Sequence, residues 1–360
     1  MHIVNYRRAS YPRPLLTCSR KCERYKITTD MINRRKFLAS TLATATAANL
    51  VAQSAPSWGG KVLDIHHHFR STPNGNLEHM DGCGVTNAVL LTNISAEEKA
   101  KAEVDSHPGR FIRFTAANVT KPESFEALRN SAKGGSKGFG EIKFHVTLDG
   151  PEMKRLYGLA AELNVPVLIH FQEVEYTPGG SGFNTGFSRL PAILKEFPKT
   201  TFIGHADFFW ANISAEPSLG TAYPTGKIKP GGLTDRMLSD YPNLYGDTSA
   251  NSGRNAMTRD PDFTAGFLTR HKDKLMFGSD CSCRDGRGTG QGSTEPALKG
   301  KCVARETLTA LKHSASPEVF RKITWENGVK LFGFSEVRLG YPGQAFGALL
   351  GYRRAGIFNV

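Results

Sequence analysis

The sequence predicts an α/β fold, a (β/α)8 TIM barrel, and three observations carry that expectation. From residue 61 onward, short apolar runs rich in β-branched residues alternate with stretches of helical period, as they do around a parallel sheet. There are eight such runs, the arithmetic of a closed barrel. Histidines and an aspartate recur at the carboxyl ends of these runs, where barrels place their chemistry. An open doubly wound sheet is the alternative, but no Gly-rich dinucleotide turn supports it.

In order, the predicted strands are 61–68, 86–93, 111–119, 138–145, 165–173, 201–207, 244–250 and 275–281. The clearest helix is 151–163, with Pro151 in its first turn and an apolar stripe of Met153, Leu156, Tyr157, Leu159 and Ala160. Further helices are expected at 187–197, 234–240, 263–271, 301–313 and, closing the barrel, 317–334. Long connections rich in Gly and Pro, at 173–186, 208–233 and 283–299, follow strands five, six and eight, on the face where substrate loops belong. Residues 335–360 read as an appended tail.

The formal charge of +13 suggests an anionic partner until it is apportioned. Residues 1–57 hold ten basic residues against Glu23 and Asp30, a balance of +8, which leaves +5 for the remainder. No basic stripe interleaved with aromatics appears, so nucleic acid is not expected. The excess lies in a leader. Asn33-Arg34-Arg35-Lys36-Phe37-Leu38 precedes a weakly apolar run ending in small residues, which reads as a twin-arginine export signal over 31–56. Residues 1–30 then form an upstream extension without a fold, and the mature chain is periplasmic with no stable membrane insertion. The run is too short and too rich in Thr and Ala to span a bilayer. Cys83, Cys281, Cys283 and Cys302 make neither paired C-x-x-C knuckles nor a dense disulfide scaffold. A bridge from Cys281 or Cys283 to Cys302 is left open, as is association into a homo-oligomer.

His66, His68, His170, His205 and Asp280 all fall at predicted strand ends. Residues i and i+2 of a strand share a face, so His66 and His68 point together while His67 points away. A barrel brings strands one, five, six and eight around one mouth. Imidazoles with one carboxylate suit a divalent ion such as Zn2+. Each histidine alone has a structural explanation; their shared position across four βα units is what argues for metal.

These pieces resemble the amidohydrolase superfamily, and within it the amidohydrolase-related family that includes aromatic-acid decarboxylases. The resemblance rests on Asp64-Ile65-His66-His67-His68, Val167-Leu168-Ile169-His170, Ile203-Gly204-His205 and Phe277-Gly278-Ser279-Asp280. It extends to the closing Trp325-Glu326-Asn327-Gly328-Val329-Lys330-Leu331-Phe332-Gly333, and so spans roughly residues 61–334. It implies His66, His68, His170 and Asp280 as ligands, with His205 a further ligand or an oxyanion partner. Strand four, Gly140-Glu141-Ile142-Lys143-Phe144-His145, places Glu141, Lys143 and His145 on one face, and is ambiguous because some members carry a carboxylated lysine there and others a glutamate. Glu141 or Lys143 could therefore join, or the pair could simply neutralise each other; one metal is expected, with two left open.

The implied chemistry is metal-assisted hydrolysis of a small amide, ester or lactone, with Asp280 as general base and His205 beside the oxyanion. Arg70 and Arg254 are candidates for holding a substrate carboxylate, and Trp210 for walling the pocket, while Asp247 at strand seven has both a site and a structural explanation. Decarboxylation of an aromatic acid is the first rival, and a non-catalytic binding protein the second.

Overall fold

The computed structural model describes residues 56–334, apart from 144, 174–184, 219, 222 and 291–294. The chain separates into residues 1–53 and 54–360, and only the second unit contains described residues. The expected leader, its extension and the tail at 335–360 lie outside them. No helix among the described residues is long and apolar enough to cross a membrane.

Eight parallel strands pair in sequence order. They are β1 (Leu63–His68), β2 (Asn87–Asn93), β3 (Phe111–Ala116), β4 (Phe139–Ile142), β5 (Val167–His170), β6 (Phe202–His205), β7 (Leu244–Asp247) and β8 (Leu275–Met276). The last strand is only two residues long, and the chain beyond it closes the ring. Ile65 N–H donates to Phe277 O at 3.0 Å and Asp280 N–H to His66 O at 2.8 Å. The Asp64 carboxylate accepts from the Ser279 N–H at 2.8 Å. All three join β8's continuation to β1, so the barrel is sealed.

The sheet separates two cores. One takes Leu63 and Ile65 from β1, Val89 and Leu91 from β2, Phe114, Leu168, Ile203 and Met276, together with Phe332 and Phe334 of the chain's closing turn. Drawn from six strands, this is the barrel interior. Ala88, Leu90, Val167, Ile169 and Phe202 belong instead to the larger core shared with the helices. Alternate residues thus face opposite cores, as the pleat requires.

The helices are α1 (Gly75–Cys83), α2 (Glu97–Ser106), α3 (Ser124–Lys133), α4 (Pro151–Leu163), α5 (Leu190–Glu196), α6 (Asp207–Ala211), α7 (Leu233–Asp240), α8 (Ala250–Thr258), α9 (Pro261–Arg270), α10 (Val303–Ser314), α11 (Pro317–Arg321) and α12 (Asn327–Phe332). Helix α4 has the expected bounds and buries the expected stripe. Strands one and two end at His68 and Asn93 as expected, whereas the other six were expected to run further than they do, because the residues past their carboxyl ends continue into loops or helices rather than into the ladder. Strand eight, expected to 281, ends at Met276.

Candidate metal centre

Strand alternation alone does not place the histidines of β1. Leu63 and Ile65 face the interior, so an unbroken pleat would turn His66 and His68 outward. The pairing with β2 shifts by one residue between Asp64 and His67, and beyond the shift His68 lies opposite interior Leu91. Such a bulge lets two successive residues face the same side. His66 and His68 enter the mouth, while buried His67 lies against His79 with ring centroids 5.3 Å apart.

Strand β4 has a second irregularity, between Phe139 and Ile142. Both of those residues belong to the outer core, and Glu141 turns into the mouth between them. Gly140 makes this possible. Its φ is +147°, and a Cβ there would sit 2.7 Å from Leu168 Cβ and 2.8 Å from Leu168 O. Lys143 and His145 lie past the strand and are exposed, so the expected shared face of Glu141, Lys143 and His145 does not form. Of the two strand-four candidates, Glu141 is the one in the cluster.

The donor atoms converge. Asp280 Oδ1 is 3.2 Å from His68 Nε2 and 3.9 Å from His66 Nε2, and its Oδ2 is 3.8 Å from His205 Nε2. Glu141 Oε2 is 3.5 Å from His68 Nε2 and 3.8 Å from His66 Nε2, with Oε1 3.5 Å from His205 Nε2. Ligand bonds of about 2.0–2.2 Å would put neighbouring donors roughly 3.3–3.6 Å apart around a tetrahedral ion, close to this spacing. His170 joins through Glu141, to which its Nδ1 is hydrogen-bonded. Its Nε2 lies 3.1 Å from Gln172 Oε1.

The far sides of the rings are fixed. Asp247 Oδ2 accepts from His66 Nδ1 at 2.6 Å and from the Ser249 hydroxyl at 2.8 Å. Ser249 Oγ stands 2.8 Å from His205 Nδ1, so with its own proton given to Asp247 it accepts from that ring. His66 Nε2 and His205 Nε2 are buried without a hydrogen-bond partner. Two such nitrogens aimed at carboxylates form an arrangement that a divalent ion would satisfy.

The charges agree. Burial would push His66 down, but Asp247, Asp280 and Glu141 overcome it and hold the imidazole up to about 10. Burial keeps His205 well below the ordinary histidine range, so its ring is neutral. Asp280 is driven the other way, since His66 and His68 overcome its burial and lower it to about 2.

Asp280 stands four residues past the end of β8, with a positive φ of 44°. Its place is set by its N–H bond to His66 O rather than by a ladder. Gly278 packs beneath it, where a Cβ would come within 2.4 Å of Asp247 Oδ1 and 2.7 Å of His66 Cβ. A pocket of about 310 Å3 opens beside His68 and Glu141, with Phe69, Leu91, Asn93 and Ala116 on its walls.

The remaining expectations fare differently. The Arg70 guanidinium donates to the carbonyls of Cys281 and Cys283, each at 2.6 Å, and of Arg284 at 3.2 Å. Those donors tie down the loop after β8, so a substrate contact gains no support. Trp210 is 1% exposed, donates through Nε1 to Asp247 O at 2.9 Å and packs on Phe209. It is a core residue and is not among the residues that line the pocket beside His68 and Glu141. Arg254, half-buried on α8, has its Nη2 3.7 Å from Glu306 and its Nε without a hydrogen-bond partner. Sequence reasoning passed over Ser249 and left Asp247 undecided. Only their spacing, Asp247-x-Ser249 at the end of a strand, could have pointed to them.

A family model described as amidohydrolase matches residues 80–334. The chain belongs to the amidohydrolase family. The match begins after β1, so His66 and His68 lie outside the matched residues. A comparison with curated proteins gave no match. Among solved structures, the fold is similar to a probable 2-pyrone-4,6-dicarboxylic acid hydrolase from Acinetobacter baumannii, determined with citric acid bound. Identity is 15% and the TM-score 0.51, over 76% of this chain and 100% of that one. A putative amidohydrolase from Staphylococcus aureus is similar to the same degree, with 15% identity, a TM-score of 0.51 and coverage of 76% and 100%. At this identity the likeness concerns the fold.

Proposed function

We propose that this amidohydrolase-family chain is a metal-dependent hydrolase of a small amide, ester or lactone, with a carboxylate-bearing substrate the preferred class. The observation that carries the reading is the pair of unpartnered buried nitrogens, His66 Nε2 and His205 Nε2, facing Glu141 and Asp280. His66, His68, His205, Glu141 and Asp280 would hold the ion, with His170 alongside Glu141. One divalent ion, Zn2+ by the chemistry of this donor set, is the proposed complement. When bound, it supplies Lewis acidity toward a carbonyl oxygen.

The chain's own residues supply the rest. Asp280 is 28% exposed at its side chain against 7% for Glu141, and is the carboxylate an attacking water reaches. It takes that water's proton and returns it to the leaving group. His205 gives its Nδ1 proton toward Ser249, which leaves a lone pair on Nε2. That favours the ligand role for His205 over the oxyanion role. Arg254 remains the candidate cation for a substrate carboxylate.

Asp280→Asn, assayed at saturating metal, should lower kcat by at least about a hundredfold while the circular dichroism spectrum stays near wild type. Retained turnover would remove Asp280 from the reaction. Product analysis across lactones, esters, amides and aromatic acids decides the reaction class. Uptake of water into the product supports hydrolysis, and release of CO2 without hydrolysis would make the chain a carboxy-lyase. We also propose export through the twin-arginine signal. Arg34→Lys with Arg35→Lys should keep the protein in the cytoplasm, and unchanged export would reject that signal.

A further inference from the structure

Four side chains with no part in that site meet elsewhere. His79 comes from α1, Cys281 and Cys283 from the loop after β8, and Cys302 from the residue preceding α10. Cys281 Sγ is 3.4 Å from Cys283 Sγ and 3.8 Å from Cys302 Sγ. Cys302 Sγ is 3.9 Å from His79 Nε2. The four donor atoms lie within 4.8 Å of one another. His79 and Cys283 are 0% exposed and Cys302 is 2% exposed.

Two ordinary explanations can be weighed against these distances. A disulfide brings its sulfurs to about 2.05 Å, and all the described cysteines are free. Buried free cysteines pack as small apolar groups, but that gives no reason for three thiols to share one point with an imidazole nitrogen. A tetrahedral zinc does give one. Zn–S bonds of about 2.3 Å and a Zn–N bond of about 2.0 Å set sulfur–sulfur edges near 3.8 Å and sulfur–nitrogen edges near 3.5 Å. The observed separations lie close to those edges.

We propose that His79, Cys281, Cys283 and Cys302 form a closed Cys3His structural zinc site, separate from the centre at the barrel mouth. Three thiolates and one divalent ion leave a single excess negative charge. The Arg70 guanidinium stands beside it, donating to the carbonyls of Cys281 and Cys283, which gives that arginine its electrostatic purpose. Cys83 is outside the set. Its Sγ lies 4.0 Å from His79 Nδ1, the ring nitrogen turned away from Cys302, and donates to Met80 O. Binding requires the three thiols to release their protons, so apparent affinity falls with falling pH. The site would staple both ends of the 281–302 loop to α1 and hold the residue immediately after Asp280. The proposal stands on its own if the reading of the mouth fails.

The test uses the full chain, purified in reductant and with its thiols counted. Loaded with Co2+, it should show intense thiolate-to-cobalt charge transfer in the near ultraviolet, which nitrogen and oxygen ligands do not give. The band should persist in Cys83→Ser and in Asp280→Asn and disappear in Cys283→Ser and Cys302→Ser. A mercurial thiol reagent should release one zinc per chain from the wild-type protein, read with a chromogenic chelator. If the cysteine variants do not fold, the wild-type band and the mercurial release decide the matter. Cobalt uptake by the reduced protein without the band overturns the proposal, as does mercurial treatment that frees no zinc. A Cys281–Cys302 or Cys283–Cys302 disulfide in freshly isolated protein does the same.

Discussion

Asp247 never faces the proposed ion, yet the geometry of the mouth depends on it. Its buried carboxylate takes the Nδ1 proton of His66 and the hydroxyl proton of Ser249, which in turn fixes His205. Partners of this kind set which nitrogen a ligating ring presents, and losing one costs about 10–100-fold in metal affinity. Asp247→Asn should therefore raise the metal Kd by that factor, read by competition with a chelator. Excess metal should restore most of kcat, whereas a merely structural role would show as lost stability that metal does not rescue. At this scale the sequence was legible where a residue's position decides its task. His66, His68, His170 and His205 stand at the carboxyl ends of their strands as expected, whereas Asp280, expected at the end of strand eight, lies four residues past it. It was not legible where contact decides: Arg70 and Trp210 lie just past strands one and six, but their polar atoms are used by main-chain carbonyls that no sequence pattern reveals.

At the scale of the element, the strand period accounts for most of the barrel and fails at the two places that build the mouth. Bulges in β1 and β4 turn His66 and Glu141 inward, and a bulge leaves no mark in an apolar–polar alternation read from sequence. The alternation from His66 to His68 holds; what the period does not show is the break just before it, which decides that this pair and not His67 faces the mouth. Gly140 is the nearest thing to a trace of the second bulge. Gly140→Ala should cost about 1–3 kcal/mol through its clash with Leu168, seen as a lower chemical-denaturation midpoint, and should weaken metal binding by displacing Glu141. Helices can be tested by their pH dependence. Asp235 of α7 accepts from His271 Nε2 at 2.6 Å and pairs with Arg270 of α9 at 2.9 Å. Burial alone would raise its carboxyl, but these partners lower it below 3.8. A depressed carboxylate stabilises the fold fully above its unfolded value, and loses that contribution as pH falls through the lower folded one. Asp235→Ala should thus destabilise by about 1–3 kcal/mol at neutral pH. The gap to wild type should narrow only below pH 3.8; a gap that closes between pH 7 and 5 would assign the effect to other groups.

For the whole molecule, the weak point of an eight-stranded ring is where the last strand meets the first, and here β8 offers only two residues. The seam relies on single bonds. The Asp64 carboxylate is central among them, accepting the N–H groups of both Ser279 and His66 through one oxygen. The same seam carries the chemistry, because Asp280 hangs from His66 O immediately beyond Ser279. Closure and site assembly are therefore one event, and damage to the seam should reach the mouth before it reaches the rest of the barrel. Asp64→Ala leaves two buried N–H donors without their acceptor, at a cost of roughly 2–4 kcal/mol. Hydrogen exchange should then quicken at the amides of Ile65, Ser279 and Asp280, while those of β5 and β6, paired on both sides far from the seam, keep their protection. Metal affinity should fall in step. Uniform loss of protection across all eight strands would show instead that the barrel opens as a single unit and that Asp64 holds the whole ring together.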